Sequence, residues 1–580
     1  MMNRLLLCSL LVCLTPFHVM ATDASAEDAA RFAQAMAHGL RPSTAQLGAA
    51  LPQWSIEERL AHYKVPGAAV AVIRDGKVVY AAGYGLRQAG THDAVDADTV
   101  FSVGSVSKMG AAATTLKLVA AGKVSLEENI DPRLRRWHVP ADAQGLHPPI
   151  NLRMLLSHTA GFNVHGFQDY QPAERLPTLL QTLDGLAPAK NEPIRLIHAP
   201  GQQVDYSGGG YTVVQLAIED LTGRAFADVA RREVFAPLGM SRSTYQSPLP
   251  AGYGNVAHAH DNKGLPEALP RGWQSFPEQA ASGLWTSAND MGLFVAALLR
   301  SIRTKDGWLP QSLALQMVSE VAPAGRGLGP ELAGNGAGRR FFHNGSNDSY
   351  HAGIEGYPES GDGFVILTNG DNGPALRGEI RNALSDALGH NAKPVIRTLD
   401  PALLRDSYPG FSGHFVLDGA LPMDVRGGLA DWFEATTLDV QAGQAGLELR
   451  LPGRGKAVML QALTPVRFLA GSVGAELLFH RGGDGTVQAL SVIAEGARAY
   501  YRRADIAPAA GHWSIAGGAG LLPGPLRAPN AAAATSRSGP GRGAAGTRWP
   551  SRNAGSPGSR GGPTAATGAA TSAHGGGGCR

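Results

Sequence analysis

The amino-acid sequence predicts an α+β protein: an antiparallel sheet flanked by helices with an all-helical insertion, then a small C-terminal all-β barrel and a disordered tail. Three observations carry that expectation. Strand signals occur at residues 67–85 and again at 338–367, with helical periodicity between them. Alternating apolar residues and turn pairs recur between 398 and 503, and after Ala507 large apolar side chains become sparse. Sheet segments at both ends of one region pair with each other, and the helices between them form the insertion.

Taken in order, Arg4 precedes an apolar run at 5–14, and Val19-Met20-Ala21 offers a small-residue cleavage site, so residues 1–21 read as a secretory signal peptide. Val12 before Cys13 is too large for lipoprotein processing, so the mature chain is expected to be periplasmic or secreted, with no stable membrane insertion. The region 40–390 forms the main domain. Within it, residues 69–73 and 77–80 flank Asp75-Gly76, a pair suited to a tight hairpin turn. Helical periodicity follows at 110–121 with Gly122 as stop, at 211–222 with Gly223 as stop, and at 289–299. Strands are expected at 338–342, 353–357 and 364–367. Asn391-Ala-Lys-Pro394 reads as a linker. Residues 398–505 then alternate strictly in Leu447-Glu-Leu-Arg-Leu451 and turn at Pro452-Gly453 and Gly482-Gly-Asp-Gly485, the pattern of a small barrel.

Composition narrows the function. Lys plus Arg exceed Asp plus Glu by 51 − 48, a formal charge of +3. Residues 507–580 hold seven Arg and no Lys, Asp or Glu, so residues 1–506 carry +3 − 7, or −4. The folded part therefore has no basic character that would point to nucleic acid or an anionic membrane. The tail has 18 Gly in 74 residues and too little apolar surface to offset ordering entropy, so disorder is expected there. Cys8 and Cys13 fall in the leader, leaving Cys579, which excludes an intramolecular disulfide or a thiolate metal cluster in the mature chain. No metal and no cofactor are expected. The partner is a small-molecule or peptide substrate, and oligomeric state is left open.

The chemistry concentrates in three motifs. Ser105 and Lys108 stand three residues apart in Phe101-Ser-Val-Gly-Ser-Val-Ser-Lys-Met109, the one S-x-x-K in the chain. Residues three apart at a helix start share a face, so a desolvated Lys108 with a depressed pKa takes the Ser105 proton and makes a nucleophile. Downstream lie Asp205-Tyr-Ser-Gly-Gly-Gly-Tyr211 and Phe342-His-Asn-Gly-Ser346. His158, in Leu155-Leu-Ser-His158, reads as structural.

This set resembles the serine β-lactamase and penicillin-binding protein superfamily, in its class C β-lactamase, DD-peptidase and family VIII esterase branch. Val65-Pro-Gly67, Leu155-Leu-Ser-His-Thr-Ala-Gly161, Pro200-Gly201 and Gly283-Leu-Trp-Thr-Ser287 fit the same pattern, and the resemblance covers residues 56–388. It implies that Ser105 is acylated, that Lys108 accepts its proton, and that Tyr206 shuttles protons to the leaving group and activates water. Which of Lys108 and Tyr206 is the base is left open. His343 is expected to hydrogen-bond to Tyr206 or to the acyl group, Gly345 lets the strand backbone come close to the substrate, and the resemblance implies that the Ser346 and Ser105 amides form an oxyanion hole. Two departures stand out: Gly208 replaces an Asn that holds the substrate's amide, and His343-Asn344-Gly345 replaces Lys-Thr-Gly, which supplies a fixed cation. Both weaken recognition of carboxylate-bearing substrates. The barrel resembles lipocalin-like domains appended to related hydrolases. The expected function is an exported hydrolase of an ester, amide or β-lactam through acyl-Ser105. The alternatives are a penicillin-binding DD-peptidase or acylated receptor with little turnover, and a non-catalytic cell-wall binder.

Overall fold

The structure, a computed structural model, describes residues 24–321, 325–418, 436–443, 445–451, 457–471, 474–494 and 497–505. The leader, the tail and the Pro452-Gly453 turn read from sequence lie outside the described residues.

After α1 (Ala24–His38), β1 (Gly67–Arg74) and β2 (Lys77–Gly85) form the anticipated hairpin. Asp75 and Gly76 take φ of 46° and 70°, the left-handed pair that a two-residue hairpin with right-handed twist requires. From the far end of the domain come β3 (Glu331–Ala333), β4 (Arg340–Asn347), β5 (Tyr350–Tyr357) and β6 (Asp362–Thr368). They join the hairpin in one antiparallel six-stranded sheet of order β2-β1-β6-β5-β4-β3. β1 is apolar almost throughout because it is covered on both faces. Ala69, Ala71 and Ile73 point to one core, while Ala68, Val70 and Val72 point to the other.

The first core holds α2 (Ser107–Ala120), α3 (Gly208–Thr222) and α4 (Ala288–Arg303). The second is closed by α1 and α5 (Gly373–Ala387), through Phe32, Met36, Leu376 and Ile380. Helices dominate the insertion, and a short ladder in which Val100–Ser102 pairs with Trp285–Ser287 ties its two ends together next to α2. Strand β4 differs from expectation. Residues 336–338 form a 3-10 turn, and the strand runs on to Asn347, because β5 continues to pair with it through Asn347–Tyr350.

Beyond a 3-10 segment, Pro401–Phe411, eight antiparallel strands close into a barrel: β7 (Gly413–Leu417), β8 (Thr437–Ala442), β9 (Leu447–Arg450), β10 (Val458–Thr464), β11 (Arg467–Ala470), β12 (Ala475–Arg481), β13 (Val487–Ala494) and β14 (Ala497–Arg503). Its interior is a separate apolar core in which Phe411, Phe415, Phe468 and Phe479 meet edge to face. No helix among the described residues is long and apolar enough to cross a membrane.

Candidate active site

Ser105 lies in a 3-10 turn, Gly104–Val106, immediately before α2, so the α-helix starts at Ser107 rather than 110. The tighter turn has a cause: the Ser107 hydroxyl donates back to the Gly104 carbonyl at 2.5 Å and accepts the Leu284 amide at 2.9 Å. Lys108 is buried to 2 % exposure on the Ala-rich helix, whose small side chains let neighbouring segments close over it. Its Nζ donates to the Ala281 carbonyl at 2.8 Å and stands 3.1 Å from Ser105 Oγ. Burial, reinforced by the positive charge of Arg326, pushes the Lys108 amine down to about 7.

Tyr206 enters from the segment ahead of α3, where Ser207 caps the helix by accepting the Gly210 amide and donates its hydroxyl to the Asn163 carbonyl. Ser105 lies close enough to pull on its phenol, and its ring lies 4.9 Å from Lys108 Nζ. Burial raises the phenol to about 12 against the opposing pull of Ser105 and Arg326, so Tyr206 is neutral near pH 7. His158 is more than a packing residue. Its ring stacks on Tyr206 at 4.3 Å, Nδ1 accepts the Ser207 amide at 3.0 Å, and its carbonyl accepts the Asp205 amide at 2.8 Å. It holds this geometry at φ 61°, in the left-handed region. The acceptor role of Nδ1 places the proton on Nε2, which is buried without a hydrogen-bond partner.

Strand β4 supplies the opposite wall. β3 pairs only with Arg340, Phe341 and Phe342, which leaves the edge of β4 from His343 onward to the Ser105 turn. The approach is so close that a Cβ on Gly345 would sit 2.0 Å from the Val103 carbonyl oxygen and 3.0 Å from the Ser105 nitrogen. A Cβ on Gly104, whose φ is 49°, would sit 2.5 Å from the Ser346 nitrogen. Both glycines are therefore steric requirements for bringing the Ser105 and Ser346 amides to one locus. Two such amides stabilise a developing oxyanion by about 3 kcal/mol each.

His343 is buried and its Nδ1 donates to the Asn344 carbonyl at 2.6 Å, while Nε2 has no partner. Its ring is 6.4 Å from that of Tyr206. Of the two partners expected for His343, Tyr206 is not bonded in the free protein, because Nδ1 is turned to its own strand; Nε2 is left for the acyl group. Burial and the nearby Lys108 push His343 down to about 3, so the position carries no charge at neutral pH. Gly208 also has a steric explanation: a side chain there would run into the Phe167 ring at 2.9 Å. Phe167 occupies the room an amide side chain would need.

Sequence reasoning missed Arg326. Its guanidinium lies 5.4 Å from the Tyr206 ring centroid and 3.3 Å from Glu331, and its charge acts on Lys108, Tyr206, His158 and His343 alike. The one available signal was an arginine alone in the glycine-rich run Gly325-Arg-Gly-Leu-Gly329. Nothing in its spacing tied it to Ser105.

The site thus sets a serine hydroxyl beside a buried amine, a neutral phenol and two backbone amides at a sheet edge. Residues 54–388 match the β-lactamase family model, and the chain belongs to that family. It is 32% identical to penicillin-binding protein 4 of Amycolatopsis lactamdurans over 181 residues, which is 31% of this chain and 45% of that protein. It is 28% identical to esterase EstB of Burkholderia gladioli over 317 residues, 49% of this chain and 76% of the esterase. The match thus spans under half the length of one relative and about three quarters of the other. The structure of the octameric penicillin-binding protein homologue from Pyrococcus abyssi superposes with a TM-score of 0.49 at 21% identity, covering 77% of this chain and 98% of that one. The family match, with the esterase and the penicillin-binding protein, supports serine hydrolase activity in general terms.

Proposed function

We propose that this protein is an exported serine hydrolase that turns over an ester, or a lightly charged amide or β-lactam, through an acyl-Ser105 intermediate. The observation that carries the reading is the 3.1 Å contact between Ser105 Oγ and an amine that burial holds near neutrality. Neutral Lys108 takes the Ser105 proton as Oγ attacks the carbonyl, and the Ser105 and Ser346 amides bear the charge that forms on oxygen. When the tetrahedral species collapses, that proton passes through the Tyr206 hydroxyl to the leaving group. Water follows the reverse path in deacylation. Of the two candidate bases, this assigns Lys108, because a phenol raised to about 12 is a relay and not a resident base.

Substrate preference follows from what the site lacks. With His343 neutral and Gly208 bare, neither position offers a cation to a substrate carboxylate nor an amide to its acyl chain. This supports an esterase-like substrate over a carboxylate-bearing penicillin, in line with the similarity to esterase EstB. The second reading, a penicillin-binding DD-peptidase or acylated receptor, draws on the similarity to penicillin-binding protein 4. Export draws on the apolar leader and is tested by finding the chain, cut after Ala21, outside the cytoplasm.

The experiment is turnover of p-nitrophenyl acetate and nitrocefin by wild type and Ser105→Ala. Wild type releases many equivalents of p-nitrophenol, and the variant loses both turnover and fluorophosphonate labelling. A single stoichiometric burst supports the receptor reading, and labelling that survives Ser105→Ala removes the nucleophile assignment.

A further inference from the structure

His158 reads from sequence as structural, yet its contacts converge on Tyr206. That residue precedes α3, and three glycines follow it at 208–210. Such a run brings no side chains to pack and has a permissive backbone, so the direction of the segment is set by what holds it from outside. The His165 and Val164 carbonyls accept the Gly208 and Gly209 amides, which seats the start of α3. His158 holds the part ahead of it. Its carbonyl accepts the Asp205 amide at 2.8 Å and its Nδ1 accepts the Ser207 amide at 3.0 Å, so the residues on either side of Tyr206 hang from one histidine. Its ring also stacks on that of Tyr206, 4.3 Å between centroids and 29° between planes.

Packing alone does not account for this arrangement. His158 adopts φ 61°, an unfavourable conformation for a residue with a Cβ, just beyond a short helix, Leu152–Leu156. Presenting Nδ1 to Ser207 leaves the Nε2 proton buried without a partner, which is a cost. Burial, reinforced by the Arg326 charge, pushes the imidazole well below its ordinary range, so Nδ1 remains an acceptor near neutral pH. The short helix is anchored to the rest of the site. The Leu156 carbonyl accepts the Tyr211 hydroxyl at 2.9 Å and the Gly329 amide at 3.0 Å, which joins it to α3 and to the glycine-rich run that carries Arg326.

We propose that His158 is a positioning residue for the proton relay: it fixes the Tyr206 hydroxyl on the path between Lys108 and the leaving group. The proposal rests on the acyl-Ser105 reading and adds to it a residue that acts through Tyr206. Proton transfer needs heavy atoms within hydrogen-bond reach on both sides, and a displacement of about 1 Å costs about 10²-fold. Ground-state binding makes no such demand, so the loss falls on kcat and leaves KM nearly level.

The test compares p-nitrophenyl acetate with benzyl acetate. p-Nitrophenolate leaves as an anion, whereas the benzyl alkoxide takes a proton as its C–O bond breaks, and that proton is the one Lys108 removed from Ser105, delivered through the Tyr206 hydroxyl. His158→Gly and His158→Asn both tolerate the left-handed backbone, and only asparagine returns an acceptor to the Ser207 amide. Rates are compared at equal folded fraction, read from melting curves. His158→Gly lowers kcat/KM for benzyl acetate by about 10²-fold and for p-nitrophenyl acetate by less than about fivefold, and His158→Asn recovers about tenfold of the loss on benzyl acetate. If the glycine variant does not fold, His158→Phe, which keeps a ring but no acceptor, gives the same selective fall. An equal fall on both esters, no fall, a change confined to KM, or an asparagine variant no better than glycine overturns the positioning role and leaves the hydrolase reading intact. Absence of turnover of both esters by wild type, or turnover that survives Ser105→Ala, overturns both.

Discussion

The cleft around Ser105 and the interior of the barrel are both buried, yet they are built on opposite rules. The barrel core is filled by Phe411, Phe415, Phe468, Phe479 and aliphatic neighbours, with aromatic edges meeting faces and little that is polar. The cleft buries Lys108, His158 and His343 beside a partly exposed Tyr206, and leaves the Nε2 atoms of both histidines without partners. Apolar burial lowers free energy by roughly 25 cal/mol per Å². Desolvating an amine does the reverse, and the unfavourable part reappears as a shifted pKa. The barrel thus reads as a stability element, and the cleft as a place where stability is given up to hold reactive groups in unusual protonation states.

Three changes probe that contrast, beginning with the most severe. Lys108→Met replaces the buried amine with an apolar side chain of similar length, so acylation measured by stopped-flow labelling falls by roughly 10³-fold. Melting temperature stays level or rises, since a desolvated amine leaves the core. A variant that lost activity together with several degrees of stability would show Lys108 to be structural cement instead.

A loss of stability without a loss of activity is expected from Phe468→Ala in the barrel. Truncating that buried ring costs about 3–5 kcal/mol and lowers the barrel's unfolding midpoint, seen in calorimetry, while kcat/KM for p-nitrophenyl acetate holds. The cavity beyond Ser346 is lined by residues 167–169, 346–349, 351 and 371, none of them from the barrel. A parallel fall in kcat/KM would tie the barrel to the active-site rim.

The mildest change concerns pH. With neutral Lys108 as the proposed base, acylation is expected to climb as pH rises through about 7 and to level above it. The Arg326 charge lowers the Lys108 pKa, and Arg326→Gln removes that push. The amine then stays protonated to higher pH and the ascending limb moves upward, each unit of displacement slowing the reaction about tenfold on the acid side. A limb that stays put, or moves down, would mean that burial alone sets the amine.

Features that depend on neighbouring residues were readable in advance. Asp75-Gly76 predicts its turn, Gly223 stops its helix with φ 65°, and Leu447-Glu-Leu-Arg places alternate residues on one face. The three-residue spacing of Ser105 and Lys108 likewise anticipates their contact. The strand carrying His343 runs further than its local pattern predicts, because its extent follows from pairing with β5, a partner that no local pattern reveals. Phe167 filling the space next to Gly208 was equally hidden, since the two residues are far apart along the chain.

By itself, then, the chain order determined the architecture and the contact of Ser105 with Lys108, because hydrogen-bond ladders, turn dihedrals and helical spacing act over a few residues. Only the tertiary structure decided that Lys108 is near neutrality, that Tyr206 keeps its proton and that His343 is uncharged. Protonation answers to the water removed and the charges gathered around a group, and those come from Arg326 and other segments that meet only once the chain has folded.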